Sequence, residues 1–144
     1  MSAAVADRAH RACKRFPGVE SSVRTSRHWT AAKLRMVTPP LPTQVISDAA
    51  LIISELGTNA ILHTASGSGG NFAVTLEVDP AQVRMWVMDQ GSDTIPIPRT
   101  DARDDEDECG RGLRIVEAFA DECGPVITDE ASGYTATIRI RVHA

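Results

Sequence analysis

Any fold of this 144-residue chain must first accommodate the run TQVISDAALIISELGTNAILH at positions 43–63. Val45, Ile46, Ala49, Ile52, Ile53, Leu56 and Ala60 recur at spacings of three and four, the period of a helix buried along one side. The helix has firm limits. TPPLP at 38–42 breaks the chain before it, because proline lacks the amide donor and restricts the residue ahead of it. SGSGG at 66–70 follows as a flexible connection, and Thr43 is a candidate N-cap.

The segments on either side supply the layers that cover such a helix. Residues 7–15, DRAHRACKR, read as an edge strand or a loose lead-in, and FPG after them as a turn. From about Ser22 to Arg35, Val23, Trp29, Ala32 and Leu34 fit an amphipathic helix moderately well. FAVTLEV at 72–78 and QVRMWVMD at 82–89, joined by Asp79, Pro80 and Ala81, read as a hairpin. Residues 90–109 show no period and read as a long loop. GRGLRIVEAFADECG opens on glycines and becomes helical through Leu113, Ile115, Val116, Ala118 and Phe119, closing at Gly124. PVITDE and YTATIRIRV, separated by Ala131, Ser132 and Gly133, form a last hairpin. This order predicts one α+β domain over 1–144, a two-layer sandwich with helices on one face of a mixed, mostly antiparallel sheet.

The apolar runs fall short of the roughly 20 residues that span a bilayer, and MSAAVADRAH lacks a signal-peptide core, so a cytoplasmic protein is expected. Cys13, Cys109 and Cys123 show no ligand spacing and suggest neither a disulfide framework nor zinc. Charge is uneven. Residues 1–36 hold 8 Lys and Arg against 2 Asp and Glu, while the rest hold 7 against 17. Scattered basic residues without interleaved aromatics argue against direct nucleic-acid binding and for a solvated face or one that meets an acidic protein.

Within the long helix, Glu55, Asn59 and His63 stand four apart, a polar stripe about 12 Å long beside the buried face. Such an edge suits the wall of a cleft. Asp89 closes an apolar strand, where a carboxylate can accept a hydrogen bond from an exocyclic amine, and Gly91 behind it leaves room for a planar ring. The GRGL turn at 110–113 lets successive backbone N–H groups converge on an anion, and Arg111 offers a charged fork to phosphate. It is neither a P-loop nor a dinucleotide fingerprint, since GxxxxGK[ST] and GxGxxG are both absent.

ELGTNAILHT, DQGSDTIPIP and GRGLRIV, in this order and spacing, resemble the three nucleotide-binding boxes of the GHKL ATPase superfamily. The nearest likeness is to its small stand-alone members of the anti-sigma-factor serine/threonine kinase type, common in actinobacteria, and it runs from about Phe16 to Val142. The resemblance implies a Bergerat-type fold with ATP held between the helices and a lid at about 91–112. It implies that Asn59 ligates Mg²⁺, that Asp89 receives the adenine amino group with Gly91 giving it room, and that Gly110, Arg111, Gly112 and Leu113 wrap the phosphates. Thr135 matches a threonine near the adenine, with Thr137 an alternative one register step away. Glu55 matches the base that orients the attacking hydroxyl, and His63 reads as scaffold closing the helix. Implied partners are a sigma factor or an anti-sigma antagonist protein that is phosphorylated, with a homodimer as the assembly. A non-catalytic ATP-binding regulator acting by protein contact is the alternative.

Two features depart from the family pattern. Gly57 stands where an aliphatic residue is usual, at a cost of about 1 kcal/mol relative to alanine in a helix interior. Either a neighbour packs closely there or the helix is locally soft. DARDDEDE at 101–108 places six acids just ahead of Cys109 and the glycine turn. Pointing to solvent it is inert, and facing inward it opposes a triphosphate within a Debye length of about 8 Å.

Overall fold

The computed structural model describes residues 10–63, 69–90, 113–129 and 131–141. Along the chain run β1 (His10–Pro17), α1 (Ser21–Arg35), α2 (Thr43–His63), β2 (Asn71–Val78), β3 (Gln82–Gln90), α3 (Arg114–Phe119), β4 (Glu122–Ile127) and β5 (Ser132–Arg139). The strands form one five-stranded sheet in the order β1-β2-β3-β5-β4, and each pair is antiparallel. The expected mixture of directions is absent from the described residues, because β5 returns between β3 and β4. The α+β sandwich itself is as expected.

Alternation decides which sheet face is covered. Phe72, Val74, Leu76 and Val78 of β2 are buried, as are Val83, Met85 and Val87 of β3 and Ala136 and Ile138 of β5. Cross-strand register puts all of them on one side. α2 lies on that side, in contact with β2, β3 and β5, and brings Ala49, Ile52, Ile53 and Leu56 into the same core. By length and composition alone α2 would qualify as a bilayer-spanning helix, with mean hydropathy 1.4 over its most apolar window. Here its apolar face is the centre of the core, and Ile52 and Ile53 are wholly buried.

α1 packs on α2 through a stripe that apolar periodicity does not reveal. Ser22, Ser26, Thr30 and Leu34 are its buried residues, whereas Ala32 is exposed and Val23 only half-buried. Small polar side chains let the two helices approach closely. The Ser26 hydroxyl donates to the Val23 carbonyl at 2.9 Å, which relieves the cost of burying it.

Element ends also depart from expectation for local reasons. Phe16 and Pro17 belong to β1, where Phe16 stacks on Phe72 with ring centroids 5.6 Å apart. Thr43 lies inside α2, whose early amides at Val45 and Ile46 donate to the Pro42 carbonyl. Asp79 Oδ1 accepts from the amides of Ala81 and Gln82, which closes the β2–β3 turn. Gly124 ends no helix, because α3 stops at Phe119 and Gly124 lies within β4. Ser132 and Gly133 start β5, and the turn before them is tied by Thr128, whose amide and hydroxyl both donate to the Ala131 carbonyl.

Candidate functional site

α2 sorts its polar groups into two kinds. Ser54 and Thr58 turn their hydroxyls onto their own helix, donating at 2.8 Å to the carbonyls of Leu51 and Ser54. Glu55 and Asn59 are half-buried, beside the buried Leu56 and Ala60. A half-buried carboxylate and amide one turn apart form the border between core and solvent. His63 ends the helix, and its side chain lies outside the described residues.

Asp89 reaches the same side of the sheet from below. It pairs with Phe72 across β2 and with Ser132 across β5, and Phe72 is wholly buried on the helix-covered face. Asp89 therefore stands on that face too, half-buried next to the end of β3 at Gln90. The Phe72 ring lies 3.6 Å from where a Cβ on Gly57 would sit, so α2 passes over β2 at Gly57, the residue between Glu55 and Asn59 in sequence. The contact at Gly57 is ordinary van der Waals distance. Phe72 and Ser26 surround that position without excluding a methyl group.

Leu113 heads α3 and is buried, and its carbonyl accepts from the Glu117 amide at 2.9 Å. Through Leu113 and Val116, α3 joins the core against α2. Gly91, Gly110, Arg111, Gly112, Cys109 and the acidic run all lie outside the described residues.

Thr135 sits elsewhere. It pairs with Trp86, on the face opposite Asp89, and its hydroxyl donates to the Met85 carbonyl at 2.8 Å. Thr137, two residues on, shares that outer face by alternation. The residues of β5 on the Asp89 side and nearest to it are Ser132 and Tyr134. Sequence reasoning missed Tyr134, as well as Gly133 between them. A Cβ on Gly133 would overlap the Val87 carbonyl oxygen and come within 2.7 Å of Met88 Cα. Only glycine lets β5 close against the end of β3 that carries Asp89.

At the β4–β5 end of the sheet the charges are structural. The Arg139 amide and the Arg141 guanidinium both donate to Asp121, at 2.7 and 2.8 Å, and these bonds, the first above all, hold its carboxyl below the usual aspartate range. Among the described residues no three His, Cys, Asp or Glu side chains converge as a metal cluster. The half-buried polar groups at that border of α2 are a carboxylate and an amide, which offer hard oxygen ligands. They fit a cation that keeps several waters and takes few protein ligands, the behaviour of Mg²⁺.

Comparison with known proteins bears on this arrangement. A family model described as a histidine kinase-like ATPase domain matches residues 16–140. The anti-sigma F factor of Clostridium acetobutylicum is 30% identical over 81 residues, covering 53% of this chain and 57% of that relative. The match thus spans little more than half of the relative's length.

Proposed function

Because the chain belongs to the histidine kinase-like ATPase domain family, we propose that it binds ATP with Mg²⁺ and transfers the terminal phosphate to a serine or threonine of a partner protein. The observation that supports this reading is that Asp89 stands on the sheet face covered by α2, the helix that bears Glu55 and Asn59. The Asp89 carboxylate accepts the adenine amino group, and Tyr134 and Ser132 stand on the same face of the sheet. Gly91 and the 110–113 turn, with Arg111, receive the ring and the phosphates from the lid side.

Asn59 offers its amide oxygen to the cation. Bound Mg²⁺ neutralises charge on the phosphates, and the remaining work is positioning. Glu55, one turn away, orients the partner's hydroxyl and takes its proton as the oxygen bonds to the terminal phosphorus and ADP departs. Glu55→Ala is expected to abolish transfer while ATP still binds. Retained phosphoserine or phosphothreonine formation by that variant, followed with radiolabelled ATP, would remove Glu55 from the reaction.

The similarity to an anti-sigma F factor supports a sigma factor or an anti-sigma antagonist as the partner. A cytoplasmic homodimer belongs to the same proposal. α1 supports an acidic partner surface as well, since Arg24, Arg27 and Arg35 are all exposed on it. Arg27, His28 and Arg35 line a groove over Ile46 and Leu51 of α2.

A further inference from the structure

β1 is the edge of the sheet. Among the described residues it pairs with β2 alone, so the backbone groups along its other side point away from the sheet. Eight residues make a long edge, and such edges are templates for another strand. Beside it, between β1 and the end of α1, runs a groove of about 180 Å³. Its floor is the buried Leu34, Val37 and Leu76, its rim carries His10 and Lys33, and Met36 stands 68% exposed at its mouth.

We propose that this edge takes an extended segment of a partner protein as a sixth strand, one in which acidic residues alternate with apolar ones. The alternation follows from the two sides of β1. On the helix side, between His10 and Lys14, lie Ala12 and the groove, which accept apolar side chains, the Lys14 ammonium being held over the Phe16 ring of its own strand; on the outer side lie Arg11 and Arg15, which face carboxylates. Arg11 already holds Glu77 of β2 at 2.7 Å, and Arg15 is exposed. β1 reads HRACKRFP, with no carboxylate of its own. A second copy pairing through β1 would oppose one basic strand to another, and the charge therefore favours an acidic partner strand. This surface is separate from the cleft at Asp89 and Asn59, and it does not depend on nucleotide.

The probe is a synthetic eight-residue peptide alternating glutamate with valine, added to the full chain while backbone amide exchange is followed. Expected is slowed exchange confined to β1, binding that weakens as salt rises, and a loss of about tenfold or more in affinity for Arg15→Glu. A peptide with lysine for glutamate, or with a central proline that removes a ladder donor, is expected not to bind. ATP titrations of Arg15→Glu should match those of the parent chain, so a failure of ATP binding would sink the kinase reading and leave this one standing. The proposal is overturned if β1 exchange is unchanged at millimolar peptide or if the lysine peptide binds equally. Tighter binding of a single-stranded oligonucleotide at β1, or sedimentation showing two copies joined through β1, overturns it as well.

Discussion

Phe72 and Asp89 face each other across β2 and β3, and the edge of the same Phe72 ring lies 3.6 Å from the Cβ position of Gly57. One aromatic side chain thus links the sheet carboxylate to the helix that carries Glu55 and Asn59. If Asp89 receives the adenine, Asp89→Ala removes a charge-assisted hydrogen bond of about 1.5–3 kcal/mol. ATP affinity, read by calorimetry, should fall roughly tenfold to a hundredfold, with the melting temperature nearly unchanged.

Gly133 sets the position of that carboxylate from the other side. Gly133→Ala would drive a methyl group into the Val87 carbonyl and the Met88 backbone, and β3 and β5 must separate to admit it. A loss of about 1–3 kcal/mol is expected in denaturant unfolding. ATP affinity should fall with it, because Asp89 follows Met88.

Gly57 behaves in the opposite way. Its surroundings at 3.6–3.8 Å admit a Cβ without displacement, and the backbone there is helical. Gly57→Ala should raise stability by about 0.5–1 kcal/mol in chemical unfolding, by restoring helix propensity and restricting the unfolded chain. Of the two alternatives that a helix-interior glycine leaves open, an obligatory close contact is not the one seen, since the neighbours stand at ordinary van der Waals distance.

The α2 helix and its polar edge were legible because the 3.6-residue period separates Glu55 and Asn59 from Leu56 and Ala60. The β2–β3 hairpin was legible from alternation and the Asp79 turn. α1 was read less well, since its buried stripe of Ser22, Ser26 and Thr30 carries no hydrophobic signal. Spacing along one strand also could not say that Thr135 faces away from Asp89, because a face is fixed by register with β3 and not by sequence within β5. The match of Thr135 to a family threonine is a likeness of letters, whereas Tyr134 holds the place on the Asp89 side.

Acid should weaken the β4–β5 end of the sheet. Folding lowers the affinity of Asp121 for a proton, chiefly through the Arg139 amide and then through Arg141, so the unfolded chain binds that proton more readily. The stabilisation is complete above the ordinary aspartate range and is lost as pH falls through the depressed folded value. At neutral pH Asp121→Asn should melt about 1–2 °C lower, a small effect because the pair is solvent-screened. Thermal scans from neutral to strongly acidic pH should show that gap closing as the carboxyl protonates.

Calorimetric titration of the chain with ATP, with and without Mg²⁺, tests the nucleotide cleft most directly. Saturable binding at one site per chain that Mg²⁺ strengthens, and that Asn59→Ala makes insensitive to Mg²⁺, is the predicted result. Absence of any heat or melting shift up to millimolar Mg-ATP would contradict the account.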